Sequence, residues 1–230
     1  MRPYEPGEKP YWVGRDELER ALDLVQSSRG AADIGLTVDD GNSSDFEIVA
    51  PELRKRDIKA AFFVLAERLD QNGYLRRSQV RELAGEGFEV GSHGLNHVDW
   101  TRVDDGTLER EVRDSKAIIE DIIGRPVTSA STPFGLYDRR VLRCLRRSGY
   151  RDVFSSDGTP RLTSAWPTPR QSLRSGFDIE ALASRAARQS FWSLVGREVK
   201  IRAKCLLPGT RTKYLTKRRI FASSAKDVAR

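Results

Sequence analysis

The sequence predicts an α/β fold built on a parallel β-sheet, which is either open or closed into a barrel. A short apolar segment is followed by a loop and then by a helical pattern of apolar residues, and this unit recurs about five times. Strands that alternate with helices in this way form parallel sheets. No apolar run approaches the roughly 18 residues that a membrane-spanning helix needs. We therefore expect a soluble α/β protein with no transmembrane segment.

The predicted strands are five short apolar segments. They cover residues 33–39, 59–65, 87–92, 126–131 and 151–155. Two helices have clear boundaries in the sequence. Residues 105–123 place apolar side chains on one face and stop at Gly124, and a second helix runs from an N-cap at Asp138 to Gly149. Ligands of such folds gather at the carboxyl ends of the strands, so polar residues there are the candidates for function.

Residues 1–30 are predicted as an N-terminal helical flank, with a helix over 16–26 that Asp16 caps. The first ten residues contain acids and prolines where an export signal needs a basic start followed by an apolar run. This composition predicts a cytoplasmic location. Residues 31–196 are predicted as the main domain, in which residues 166–169 form an extended stretch and a last helix runs from 179 to 192.

The chain ends in a basic C-terminal segment, residues 197–230. This segment carries eleven Lys and Arg against two acids, whereas the other 196 residues sum to a charge of about −2. It is either a solvated tail or a segment that contacts an anionic surface, which would make the protein membrane-peripheral. Residues 197–207 also fit a last strand that closes a barrel. Because the body is almost neutral, we expect no specific nucleic-acid partner.

The first predicted strand ends in two adjacent carboxylates, Asp39 and Asp40. Strand alternation places Ile34, Leu36 and Val38 on one face and Asp39 on the other. Adjacent carboxylates repel each other unless a cation or a basic group compensates them. The pair therefore indicates a cation site, with an Asp-Asp-Gly turn that holds no metal as the alternative interpretation.

The chain contains only two histidines, His93 and His97, which follow the third predicted strand. Two randomly placed residues would lie four positions apart in about one case in a hundred. This spacing suits two imidazoles on one metal ion. Two imidazoles and one carboxylate fit zinc, and also cobalt, nickel or ferrous iron, with at least one position open for water or substrate. The open position predicts a catalytic site.

Three segments resemble motifs of the polysaccharide deacetylase family, which contains the NodB-type deacetylases. Residues 37–41, Thr-Val-Asp-Asp-Gly, resemble its Thr-Phe-Asp-Asp-Gly motif. Residues 92–97, Ser-His-Gly-Leu-Asn-His, resemble its His-Ser/Thr-x-x-x-His motif, and residues 133–135, Pro-Phe-Gly, resemble the end of Arg-x-Pro-Tyr/Phe-Gly. The resemblance covers roughly residues 31–160. It implies a distorted, incomplete (β/α) barrel with parallel strands, which would form a catalytic domain over residues 31–196.

The resemblance also implies an activity and a metal site. The activity is hydrolysis of an acetyl group, chiefly an N-acetyl group, from a polysaccharide, an oligosaccharide or a sugar precursor. Asp39 would be the general base, and Asp40, His93 and His97 would hold one divalent ion. We expect Zn²⁺, with Co²⁺ or Ni²⁺ as alternatives.

Further residues are expected to contact the substrate. The substrate would be bordered by Pro133, Phe134 and Gly135. A backbone N–H near Phe134 or Gly135 would stabilise the oxyanion. Trp100, just past the second histidine, and Trp166 could stack on sugar rings, with a core position as the alternative interpretation.

Two departures from the family pattern concern the catalytic groups. Ser131 stands where the family has the Arg that orients the base, and no histidine remains to serve as the family's general acid. Asp157 and Tyr137 are candidates for the acid by position only. A missing acid costs on the order of 10² to 10⁴ in rate. The alternative hypothesis is therefore a weakly active or non-catalytic relative that keeps the metal and binds a glycan.

Overall fold

The structure is a computed structural model that describes residues 9–27, 35–158, 166–176 and 178. The described residues form six β-strands: β1 Leu36–Asp40, β2 Ala60–Val64, β3 Glu89–Ser92, β4 Ser129–Ser131, β5 Asp152–Ser155 and β6 Thr168–Pro169. The α-helices are α1 Arg15–Ser27, α2 Ala50–Lys55, α3 Arg77–Gly85, α4 Asp105–Ile123 and α5 Arg139–Arg147. Short 3-10 helices cover Lys9–Tyr11 and Pro133–Gly135, and a π-helical turn, Asp45–Val49, leads into α2.

The six strands form one sheet in chain order, and every neighbouring pair is parallel. The sheet curls into a half-barrel with helices on its outer side. The predicted α/β fold and incomplete barrel are thus confirmed. Because all strands run the same way, their carboxyl ends meet at one rim, where the polar motifs of the sequence lie.

The hydrophobic core lies between the outer face of the sheet and the helices. Phe62 and Val64 of β2 and Val90 of β3 supply the sheet side of it. The helix side comes from apolar residues at helical spacing, which in α4 are Leu108, Val112, Ile119 and Ile122. Each fully buried side chain of this kind contributes roughly 1.5–3 kcal/mol. This packing fixes the outer face, so the alternate residues of each strand must face the lumen of the half-barrel.

The lumen is lined by small, aromatic and polar side chains. Asp39 of β1 is in register with Phe63 of β2, which is in register with Gly91 of β3. A Cβ atom at Gly91 would collide with the Phe63 ring, so this strand needs a glycine to let the ring in. Phe63 also packs on Phe154 of β5 with ring centroids 5.3 Å apart. These two rings line the lumen next to Asp39, near the carboxyl ends of the strands.

The element predictions are largely confirmed. All five predicted strands are present, and α4 spans 105–123 and ends at Gly124, which has a left-handed φ of 68°. Asp138 caps α5, because its Oδ1 accepts a hydrogen bond from Val141 N at 2.9 Å. The predicted cap of α1 is wrong: the helix begins at Arg15, so Asp16 lies inside its first turn. The sixth strand, β6, was missed, because residues 166–169 contain two prolines and were interpreted only as extended.

Several predictions lie outside the described residues, namely the helix over 179–192, the possible last strand over 197–207 and the basic segment 197–230. They stay predictions, as do the cytoplasmic location and the division at residues 30 and 196. Along the part of the chain that the structure describes, no helix combines the length and the apolar character needed to cross a membrane.

Candidate active site

The rim of the half-barrel brings together Asp40, His93 and His97, as the sequence predicted. Asp40 Oδ1 lies 3.3 Å from His93 Nε2 and 3.6 Å from His97 Nε2. The three potential ligand atoms all lie within 4.8 Å of one another. Ligands placed tetrahedrally at 2.0–2.2 Å from a zinc ion are about 3.4 Å apart. The donor set and its spacing therefore fit one divalent ion.

Asp40 reaches the histidines through an unusual backbone conformation. Strand parity alone would direct it to the outer face, next to Val38. Its φ is 80°, which breaks the alternation at the end of β1, and His97 and Phe134 also have positive φ, at 58° and 57°. Non-glycine residues adopt this region at a cost of order 1–3 kcal/mol each, and such strain gathers at functional sites. Three residues of this kind surround the candidate metal site.

His93 is oriented by a hydrogen bond from its second ring nitrogen. Its side chain is buried, and Nδ1 lies 2.9 Å from the backbone carbonyl oxygen of Ser131. A proton on Nδ1 leaves the lone pair of Nε2 directed at Asp40, which is the arrangement of metal-binding histidines. Burial alone would lower the pKa of His93, but the carboxylates of Asp39 and Asp40 outweigh burial and raise this pKa.

The guanidinium of Arg170 binds the carboxylate of Asp39. No motif in the sequence indicated Arg170. Nη1 of Arg170 donates to Asp39 Oδ1 at 2.8 Å, and Nη2 donates to Oδ2 at 2.7 Å. The same guanidinium contacts Thr37 Oγ1 at 2.6 Å and Ser131 Oγ at 2.5 Å. Burial alone would raise the pKa of Asp39, but the charges of Arg170 and His93 hold it well below its usual range. The guanidinium therefore fixes the direction of the Asp39 carboxylate and favours its ionised form.

The guanidinium is missing from position 131, as the sequence predicted, and Arg170 supplies it. Ser131 does replace the family's Arg on β4, and its hydroxyl donates to Asp39 Oδ2 at 3.0 Å. The guanidinium comes instead from the residue after β6, 131 positions along the chain from Asp39. The sequence signal was available in part, because Arg170 directly follows the extended stretch 166–169. This position alone does not indicate a contact with Asp39, because the sequence does not show that residues 168–169 pair with β5.

The turn Pro133–Gly135 borders the site, as predicted for substrate contact. Phe134 is 53% exposed, although it is a large apolar residue, and its ring centroid lies 4.2 Å from that of His97. Gly135 has a φ of 65°, and a Cβ atom there would lie 2.5 Å from Ser156 Cβ, so the turn needs a glycine. The N–H of Gly135 already donates to the Thr132 carbonyl at 2.9 Å, which favours the N–H of Phe134 as the oxyanion donor.

The two tryptophans do not serve as sugar platforms. Trp100 is only 1% exposed and packs in the outer core, where Nε1 lies 3.4 Å from Glu111 Oε2. Trp166 donates from Nε1 to the carbonyl oxygen of Arg151 at 2.7 Å. Arg151 precedes β5, so this ring lies at the amino end of the strands, opposite the metal ligands. Both stacking expectations are corrected in favour of structural positions.

The two residues considered for the general acid bind each other. Tyr137 OH donates to Asp157 Oδ2 at 2.6 Å, and the same oxygen accepts from Ser155 Oγ at 3.0 Å. Tyr137 is buried among the residues of the outer core. Because both histidines of the chain face Asp40, neither is available as the family's general acid.

The fold and the site define a deacetylase-type protein, an incomplete parallel barrel with an Asp-His-His cluster and a separate aspartate at its rim. Residues 26–153, more than half of the chain, match the family model described as polysaccharide deacetylase. The chain belongs to the polysaccharide deacetylase family.

Individual relatives are similar over the same region. YxkH of Bacillus subtilis is 25% identical over 134 residues, which cover 58% of this chain and 48% of that protein. The peptidoglycan-N-acetylglucosamine deacetylase of Bacillus cereus is 30% identical over 124 residues, covering 54% of this chain and 56% of that protein. The chain thus spans about half the length of these curated relatives. The deacetylase PplD of Streptococcus pyogenes shares the fold, with a TM-score of 0.68 and 18% identity over 80% of this chain and 92% of that one.

Proposed function

We propose that this chain is a metal-dependent hydrolase that removes N-acetyl groups from amino sugars of a glycan. The observation that carries the proposal is the pairing of two carboxylates with different partners. Asp40 meets the two histidines, whereas Asp39 is held by Arg170. A metal site beside a separate, ionised base is what the hydrolysis of an uncharged amide requires. The name of the Bacillus cereus relative supports an acetylated amino sugar as the substrate class.

Each residue of the site has a separate role in the proposed reaction. Asp40, His93 and His97 would hold the ion, which supplies a Lewis acid for the acetyl carbonyl and lowers the pKa of water when bound. Asp39 accepts the proton of the attacking water on a carboxylate oxygen and returns it to the sugar nitrogen as the C–N bond breaks, which releases acetate and the free amine. Arg170 keeps that carboxylate ionised and fixes its direction. The N–H of Phe134 stabilises the negative charge that develops on the carbonyl oxygen.

The ion that we propose is zinc, with cobalt or nickel as alternatives. Two imidazole nitrogens and one carboxylate oxygen suit each of these ions. Elemental analysis of the purified protein identifies the metal, and reconstitution of metal-free protein with each ion separately ranks them by activity.

The second candidate function is a weakly active relative that binds an acetylated glycan. The observation that favours it is that both histidines of the chain belong to the Asp40 cluster, so that no imidazole protonates the leaving amine. The two functions differ in turnover and share the metal and the glycan.

Acetate release tests the proposal. Metal-loaded protein is incubated with N-acetylglucosamine oligomers, with peptidoglycan fragments and with O-acetylated oligosaccharides, and Asp39→Asn provides the background. We expect release from the N-acetylated substrates at a rate at least 10²-fold above this variant, the typical contribution of a general base. Glycan binding without release above the Asp39→Asn background would instead support the second function.

A further inference from the structure

The five-residue loop His93–His97, which carries both histidines, is held by hydrogen bonds along its length. On one side, residues that follow β2 donate hydrogen bonds to the carbonyl groups of the loop. Ala66 N donates to Gly94 O at 2.9 Å and Glu67 N donates to Leu95 O at 3.2 Å. Arg68 Nη2 donates to the carbonyl oxygen of Asn96, also at 3.2 Å. Three carbonyl groups of the loop are therefore held by donors outside it.

On the other side, the N–H groups of the loop bond to side chains at the loop's base and on helix α4. Glu111, 4% exposed, accepts a hydrogen bond from Leu95 N at 2.8 Å and faces Trp100 Nε1 at 3.4 Å, both with Oε2. The close approach depends on Gly94, which has a φ of 92°. A Cβ atom at Gly94 would lie 2.6 Å from Glu111 Oε2. The glycine between the two histidines thus makes room for a carboxylate from α4.

One turn further along α4, Ser115 extends the same contact. Gly94 N donates to Ser92 Oγ at 3.1 Å, and Ser92 Oγ lies 2.8 Å from Ser115 Oγ. Ser115 Oγ in turn donates to the carbonyl oxygen of Glu111 at 2.5 Å. Both serines are fully buried. Two backbone N–H groups of the loop are therefore satisfied inside the protein, and of their two acceptors, Ser92 and Glu111, the latter is the ionisable one.

The placement of these acceptors matters because metal ligands must be positioned within about 0.2 Å. His97 occupies the left-handed region at a φ of 58° and would relax if the loop were released. A buried carboxylate on a rigid helix is thus suited to hold the peptide that lies midway between the two ligands.

We propose that Glu111 is a positioning residue of the metal centre, which acts through the Leu95 N–H to fix the distance between His93 and His97. The inference rests on the proposed metal-dependent function. It gives Trp100 a role as well, since the indole N–H is the second donor that faces Glu111 Oε2.

The test measures metal affinity by titrating metal-free protein with Zn²⁺ and Co²⁺. Glu111→Leu removes the acceptor, whereas Glu111→Gln keeps an acceptor oxygen and the shape of the side chain. Val112→Ala is the matched control, because Val112 is a buried neighbour on α4 that packs in the core. We expect Glu111→Leu to weaken binding about 10- to 100-fold, as for other residues that orient metal ligands. We expect the metal affinities of Glu111→Gln and Val112→Ala to stay within about threefold of wild type. For Val112→Ala this holds even if the variant lowers the melting temperature as much as Glu111→Leu does.

The outcomes distinguish a role of Glu111 in positioning the metal ligands from a role in the stability of the fold alone. Equal affinities for Glu111→Leu, Val112→Ala and the wild type would overturn the proposal, and so would a loss in Val112→Ala that matches the loss in Glu111→Leu. If Glu111→Leu does not fold, Glu111→Asp withdraws the carboxylate by one methylene and should weaken the affinity severalfold, whereas unchanged affinity in that variant refutes the proposal.

Acetate release by the wild type separates this inference from the proposed function. A wild type that binds metal but releases no acetate contradicts the function and leaves the role of Glu111 standing. Acetate release by both the wild type and Glu111→Leu, with equal metal affinity, contradicts the role of Glu111 alone. A wild type that binds neither ion overturns both.

Discussion

Replacement of Arg170 by Met removes the guanidinium that holds Asp39 and leaves a side chain of similar length. Two hydrogen bonds of 2.8 and 2.7 Å to the carboxylate are lost. A hydrogen bond to a charged group contributes about 1.5–3 kcal/mol. If the loss of this orientation raises the free energy of the transition state by the amount of one such bond, kcat/KM falls on the order of 10- to 100-fold, since each 1.36 kcal/mol is a factor of ten.

The pH profile gives a second, independent readout of Arg170. The guanidinium keeps the pKa of Asp39 low, so its removal raises that pKa. The base is active only when it is ionised. The acidic limb of kcat/KM therefore moves to higher pH in Arg170→Met. In Arg170→Lys the charge remains but the two-pronged geometry is lost, so we expect a smaller shift of the limb together with a clear loss of rate.

Acetate release between pH 4 and 9 measures both effects at saturating metal, and a rate that falls toward the acidic end of this range in Arg170→Met but not in the wild type shows the raised pKa of Asp39. Arg146→Met is the matched control, because the Arg146 guanidinium also lies near an aromatic ring, 4.8 Å from the Trp166 centroid, but at the other end of the strands. We expect a wild-type pH profile for this control. A wild-type rate and profile in Arg170→Met would refute the assignment of Arg170 as the partner of the base.

Three further predictions concern the rim of the half-barrel. Asp39→Asn should keep its metal in elemental analysis and lose at least about 10² in kcat, whereas loss of metal equal to that of Asp40→Asn would reverse the roles of the two carboxylates. His97→Ala should lose the ion, because only two protein ligands remain, and stoichiometric metal in this variant would contradict the site. Gly135→Ala should lower the free energy of unfolding by about 1–3 kcal/mol, because Gly135 has a positive φ and an added Cβ atom would lie 2.5 Å from Ser156 Cβ. Chemical denaturation measures this, and an unchanged midpoint would contradict the close packing.

The parts of the site that could be predicted from the sequence are those that depend on local geometry. Strand parity placed Asp39 on the inner face, and the structure confirms this through the register of Asp39 with Phe63. The four-residue spacing of the histidines predicted a common centre for His93 and His97, and their rings meet Asp40 from one loop. In both cases the pattern that carries the prediction, strand alternation or the four-residue spacing, lies within a few residues of the chain.

The parts that could not be predicted depend on contacts distant in the chain. Arg170 reaches Asp39 only because residues 168–169 pair with β5, and no local pattern in a stretch with two prolines indicates a strand. Trp100 follows the second histidine closely, and only the packing of α4 against this loop decides that its ring is buried. Position in a motif thus indicated proximity to the site, and tertiary packing decided which side chains face it.

The ion pair between Asp39 and Arg170 also has a mechanical consequence. Asp39 belongs to β1 and Arg170 follows β6, the two edges of the sheet, so this contact ties together the first and last strands across the lumen. Backbone pairing does not join these edges in the described sheet. If the two edges move apart, Asp39 loses its guanidinium in the same movement. The width of the cleft therefore sets the orientation of the proposed base, and a substrate that spread the rim would weaken the group that takes the proton from the attacking water.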